Sequence, residues 1–450
     1  IEQATTGDTS TVVGATNERG RVTVHDGDGT PIEIILRGDG QVTIDRNAAG
    51  GLDLFLTDTS ERSRLTIRTK GRGGDDRADI VNVYSFRSIR SIDGRKVDLS
   101  GDLWVGGSLG RLRLGDMAPG QRIDVGVMED MPEDGTPLDA RLGDVSDVTL
   151  ISNGPIASLR AEQWADRQGA PDRVRAPRID RLRIRNDFEV DLVQSAGGAE
   201  GRGMIAYVGG NLRDASWHVA SGIRRLHAGG VVDQWHLEFD QDIRSMKLGR
   251  VEHAQIEGTG PRSHIGRLDA YGWASGGLVA GSLGTLTMRS ARTQEDGSHF
   301  GADLTLFDRS ADWGLRRMTV PDWIDGSAIR IASRIGSITT GGLRDSVVFA
   351  GVAGDDTLPD TAERLDPLSS IASLRVNGRS TGEPLLINAR VAASTITRLD
   401  LREVDTTNEG IPFGAAARFI TQYRRDGARP AAGFDGGWLD LEDDFEVRIV

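Results

Sequence analysis

The chain contains no cysteine, which excludes disulfides, thiolate metal sites and cysteine nucleophiles. It leaves the compartment open. Lysine is nearly absent too: Lys70, Lys96 and Lys247 are the only three, so almost all positive charge is arginine. No apolar run approaches the roughly 18 residues needed to span a bilayer as a helix, and membrane insertion is not expected. Basic residues are outnumbered, 54 Lys and Arg against 67 Asp and Glu, giving a net charge of -13. An acidic chain argues against nucleic acid, which selects a basic stripe, and against anionic membrane surfaces. No Gly-x-Ser-x-Gly elbow, phosphate-cradling loop or dinucleotide fingerprint stands out. The chain opens on Ile1 rather than Met, as expected of a mature or trimmed product.

What is abundant is glycine, 59 of 450 residues, about twice the usual share of roughly 7%. Glycine in excess without low complexity points to many tight turns. Between the turns one apolar triplet recurs, at positions i, i+3 and i+5. It appears as Leu109, Leu112 and Leu114, as Ile179, Leu182 and Ile184, as Ile265, Leu268 and Ala270, and as Ile396, Leu399 and Leu401. The closest copies start about 18–22 residues apart, a solenoid period.

The i+3 and i+5 members lie two apart, so they face one side of a strand. A helix would accept the i, i+3 spacing alone. It would not accept the following pair, nor a glycine in nearly every repeat at about 1 kcal/mol each. The fold expected is therefore all-β: a single elongated parallel β-solenoid of imperfect rungs of about 20 residues. At about 4.8 Å per rung, some 15 rungs make a rod on the order of 70 Å long. A second strand follows the triplet in each coil. Aligning two coils on the glycine before that strand sets Trp235 against Ala254, Leu237 against Ile256 and Glu238 against Glu257.

Stacked rungs leave open edges at both ends, which need covers. Residues 1–60 are read as an N-terminal β cap, with strands near 21–24, 32–36 and 41–44 but no triplet. Residues 61–405 are read as the solenoid and 406–450 as a C-terminal cap and tail, where 412–423 is a short helix or an aberrant last rung. Four stretches rich in Asp, Glu, Pro and Gly, near 126–144, 160–178, 291–303 and 352–370, are read as inserted loops.

The Gly-Ser-Leu-Gly-Arg-Leu-Arg-Leu-Gly run at 107–115 and the Gly-Ser-Leu-Gly-Thr-Leu-Thr-Met run at 281–288 resemble repeat regions of large secreted bacterial surface proteins. Those regions carry Gly-Ser-Ile/Leu-x-x-Leu repeats and resemble right-handed parallel β-helices. The resemblance covers roughly residues 80–405. It implies export to the cell surface and membership of a larger assembly, and it brings no catalytic residues. The expected function is a secreted structural or adhesive module. Its partners would be copies of itself, other surface proteins or carbohydrate. A β-helix enzyme acting on polysaccharide and a phage-like fibre or tailspike are the alternatives.

The candidate site residues come from the stacking register. Glu238 and Glu257 sit outward on consecutive rungs, with carboxylates about 5 Å apart, near the separation used by retaining glycosidases. His236 and Gln255 form the neighbouring column, which His218 extends, and Asp233 and Glu252 form a third. Histidines and carboxylates gathered on one face suit cation or ligand binding, or glycan cleavage. The plain alternative is a solvated face. Asp26-Gly27-Asp28-Gly29 resembles the start of a calcium loop but lacks the later Glu. Asp75-Asp76, Asp355-Asp356 and Asp443-Asp444 are similar acidic turns. All are read first as polar turns. Calcium is the one cofactor they would admit, and no other metal or cofactor is expected. Trp217 and Trp235 share a side with Val219 and Leu237, which places both indoles in the core.

Overall fold

The computed structural model describes residues 11–15, 20–47, 50–70, 75–128, 136–167, 172–196, 203–290, 298–378, 382–426 and 437–450. The chain is all-β, a parallel β-solenoid of about 15 turns. Among the described residues the one helical element is a single 3-10 turn, Ala362–Arg364. Two compact units, 1–221 and 222–450, follow the same plan.

The apolar triplets build the inner wall, because each rung must bury them against the next. Leu112 lies opposite Ala140, Ala140 opposite Leu159 and Leu159 opposite Leu182, all with no exposed surface. Fully burying one such leucine is worth about 1.5–3 kcal/mol. The second strand of each coil stacks likewise: Leu103, Ile123 and Leu150 are successive partners.

The triplets lead one to expect two strands per coil, and three faces are found. The extra face is short. In unit 1 it is the strands Ala78–Ile80 and Val97–Leu99, then the single residue Met117, bridged to Leu99 and Val145. Further along, Trp164 bridges Phe188 and Phe188 bridges Leu212. The Phe188 ring packs edge to face against Trp164 and Trp217, with centroids 6.3 and 5.8 Å away, inside the coil. The corner from the short face to the second strand is turned largely without glycine. Asp147, Asp214, Gln234, Asp345 and Asn388 take positive φ of 42–50° there. Asp and Asn tolerate this left-handed region better than other side chains.

In unit 1 the first strands are antiparallel. Arg21–His25 pairs with Pro31–Arg37, Pro31–Arg37 with Arg64–Thr69, and Gln41–Arg46 with Leu52–Thr57. Parallel stacking begins where Leu52–Thr57 meets Asn82–Ser85 and Arg64–Thr69 meets Ile89–Gly94. In unit 2 the segment 412–423 is no helix: Phe413–Arg425 is a long strand parallel to Arg390–Leu401. Phe445–Ile449 adds to it in parallel and is covered by antiparallel Trp438–Glu442. A covered edge presents fewer unpaired amides to another chain.

The expected inserted loops are shorter than read. Leu138–Arg141, Gln163–Ala165 and Arg173–Ala176 are regular rung strands within them. The parts at 129–135, 168–171 and 291–297 lie outside the described residues. The stretch 352–370 folds back on its own unit rather than projecting. Leu358 and Leu365 join an outer apolar cluster with Val347, Phe349, Ala392 and Ala416. Arg448 donates to the Leu358 carbonyl at 2.8 Å, and Arg418 to that of Ala362 at 2.6 Å, which fastens the segment down.

Candidate functional site

The strands Val232–Phe239 and Val251–Gly258 alternate inward apolar and outward polar residues, as a half-buried strand must. Inside, large residues stack on small ones: Trp235 faces Ala254, and Phe239 faces Gly258. A Cβ on Gly258 would stand 2.4 Å from the Ser263 Cβ. That interior volume match pins the register, because a slip of one residue would turn the indole to solvent.

Outside, the pinned register places Glu238 opposite Glu257 and His236 opposite Gln255. The His236 Nε2 lies 3.9 Å from the Glu257 Oε2, with both side chains 47% exposed. On the next rung Glu257 meets Val279 and Gln255 meets Gly277, so the acidic pair ends there. Asp233 contacts the His253 Nδ1 at 2.9 Å, whereas Glu252 contacts the Arg250 Nε at 3.3 Å. The left-handed turn at Gln234 lies beside Asp233 on this strand. His218 belongs to unit 1, on strand Leu212–Val219, opposite Val193. The arrangement is an open strand face with carboxylates and imidazoles at ion-pair distances. Its half-exposed side chains offer weak polar or cationic contacts.

Many acidic residues on or beside the short face have a definite task. Their carboxylates accept backbone N–H groups from the following rung. Asp98 Oδ1 accepts from Asp116 N at 2.9 Å, and Asp116 Oδ1 from Asp144 N at 2.8 Å. Asp187 Oδ1 accepts from Asn211 N at 2.7 Å, and Asp303 Oδ1 from Ala328 N at 2.9 Å. The Arg77 guanidinium bridges Asp98 and Asp116. In unit 2 side-chain amides also link coils, the Asn388 amide donating to Asp345 Oδ1 at 2.8 Å and the Asn408 amide to Asn388 Oδ1 at 2.9 Å. These are charge-assisted or amide bonds that staple one coil to the next where strand hydrogen bonding is interrupted.

The calcium-loop-like turn is built the same way. Thr30 N donates to both Asp26 Oδ1 and Asp28 Oδ1 at 2.8 Å, and Asp75 N donates to Asp28 Oδ2 at 3.0 Å. Burial raises the Asp26 carboxyl, while hydrogen bonds from Asp26 and Thr30 hold that of Asp28 well below the usual range. Among the described residues no three His, Asp or Glu side chains converge as metal ligands.

Two features had no signal in the chain pattern. Asp172 is 3% exposed, and among the described residues its Oδ2 has no hydrogen-bond partner. Burial pushes its carboxyl up to about 7, and the nearby Asp147 and Asp166 charges add to this. It falls in a stretch read as loop, so nothing marked it as buried. The second is an open groove of about 580 Å³ over the triplet strands near 64–111, lined by Glu61, Arg64, Arg90, Ser91, Ser108 and Arg111 among others. Its residues come from different rungs, so only stacking assembles it. Comparison with family models, curated proteins and solved structures gave no match.

Proposed function

We propose that the chain is a secreted, non-catalytic structural or adhesive module of the cell exterior. The observation that carries this reading is the use of acidic side chains as cross-rung staples, exemplified by Asp98, Asp116, Asp187 and Asp303. Polar residues that elsewhere would be candidates for chemistry are here engaged in holding coils together. The outward pair Glu238 and Glu257 stands on an open face beside Val279. The Gly-Ser-Leu runs at 107–115 and 281–288, with their resemblance to secreted surface repeats, support export. A solenoid bearing many outward polar positions at one spacing is a scaffold for repeated weak contacts, whose avidity exceeds any single one.

The test is incubation of the whole chain with a panel of neutral and acidic polysaccharides, followed by sizing of each polymer. Unchanged polymer lengths are expected. Shortening that Glu238→Gln or Glu257→Gln abolishes would overturn the reading in favour of a glycan-cleaving enzyme.

A further inference from the structure

In unit 1 the outward position between the last two members of each triplet repeatedly holds arginine. Arg113 lies opposite Arg141, Arg141 opposite Arg160, and Arg160 opposite Arg183. The column ends on Tyr207, with the Arg183 guanidinium 6.0 Å from its ring centre. Neighbouring rungs are about 4.8 Å apart, so this is a single file of like charges at that repeat. Like charges directly opposite one another destabilise a sheet. The fold does not ask for them, because burial dictates only the inward members of the triplet.

Among the described residues, carboxylates neutralise the column only at its first rung, where Arg113 Nη1 is 3.5 Å from Asp93 Oδ2. Arg160 Nε is held by the Ser158 hydroxyl at 3.1 Å. Arg141 and Arg183 are exposed, and among the described residues neither has a carboxylate partner. The polar groove described above opens on the same run of triplet strands and adds Arg64, Arg90 and Arg111, which outnumber the Glu61 and Asp93 carboxylates on the same lining. Arg111 itself is only loosely matched to Asp139, at 4.0 Å. A locally basic track on a chain of net charge -13 thus runs over several rungs.

We propose that this track, from the groove through Arg113, Arg141, Arg160 and Arg183, binds a linear acidic polysaccharide carrying a carboxylate on successive sugars. The inference rests on the adhesive reading and names its ligand class. Guanidinium forks recognise carboxylates in a planar, two-bond geometry. Single-file charges one rung apart match a polymer whose charges are spaced by about one sugar. Duplex nucleic acid carries a charge per about 1.7 Å of axis, far denser than the track. Asp93 and Asp139 on the same strands, and the overall negative charge, oppose so dense a polyanion more than a sparse one.

The experiment measures retention of the full chain on immobilised polygalacturonate, dextran and duplex DNA at one near-physiological ionic strength. Retention on polygalacturonate alone is expected, weakening as salt rises. The Arg141→Ser/Arg183→Ser variant should lose about tenfold in affinity, in line with two charge-assisted contacts. Arg316→Ser/Arg317→Ser, on the outward side of a unit 2 triplet, should leave it unchanged. Thermal melting of the variants checks that they fold, and the first pair should melt no lower than the parent. Absence of retention, equal retention by the Arg141/Arg183 variant, or tighter retention on DNA would each overturn the proposal. Polymer length is read on the same samples. Shortening would sink only the non-catalytic reading, since retention dependent on Arg141 and Arg183 stands apart from cleavage.

Discussion

The outward position filled by arginine in unit 1 is filled quite differently in unit 2. There the successive partners are His227 and Lys247, then Asp269, then Thr287, Thr319 and Thr339, then Arg375, Asp400 and Arg424. Lys247 meets Asp269, three threonines form a ladder, and Asp400 stands between two arginines. Opposite-charge and Thr–Thr pairs are combinations that stabilise neighbouring strands. Unit 1 stacks Arg113, Arg141, Arg160 and Arg183 instead. The inner wall is alike in both units, mainly apolar and buried. The difference teaches that stacking constrains what points in and leaves what points out to other demands.

The largest effect should come from the shared interior. Leu182→Ala in unit 1 and Leu374→Ala in unit 2, both fully buried, should each cost about 2–5 kcal/mol in denaturant unfolding. A large cost in one unit and little in the other would break the claim that the two interiors are alike.

Asp172 should come next. Its folded-state carboxyl is raised from 3.8 to about 7 chiefly by burial. Its protonated form is thus favoured on folding, and that contribution is complete below about pH 4 and lost as pH rises through 7. Asp172→Asn should therefore stabilise the chain near pH 8, by up to about 4 kcal/mol at about 1.4 kcal/mol for each tenfold change in proton affinity, and little at pH 4. Urea midpoints measured across that range give the sign directly. A variant equally stabilised at both pH values would refute the assignment.

A smaller effect belongs to the cross-rung staples. Asp187→Ala leaves the Asn211 amide, now bonded at 2.7 Å, without its acceptor and should cost about 1–3 kcal/mol. Faster hydrogen exchange at Asn211 would accompany the loss. Unaltered exchange would mean that the strands alone hold that rung.

The smallest effect tests the contrast itself. Arg141→Thr should gain a few tenths of a kcal/mol by relieving like-charge stacking, and Thr319→Arg should lose about as much. Melting temperatures moving in opposite directions sharpen the comparison. Movement in the same direction would mean that the outward columns of the two units obey the same rule after all.

Much of this architecture was legible in the chain. The triplet at Ile179, Leu182 and Ile184, and the offset that brings Trp235 to Ala254, carried the strands and their register. The short face was not legible, because single residues such as Met117 and Phe188 leave no period-two trace. Neither was the role of Asp98 and Asp116, since an acidic residue at a turn reads the same whether it faces water or the next coil's amide. The patch around Glu238 was readable as a juxtaposition, while its exposure and the 3.9 Å contact of His236 with Glu257 were not.

The amino-acid sequence by itself determined that this chain coils into stacked strands. Burial of apolar side chains is written in local spacing, and local spacing survives in one dimension. Only the tertiary structure decided which outward residues became neighbours across rungs. That alignment depends on the length of every intervening turn, so Arg141 and Arg183 come into file although nothing near either residue announces it.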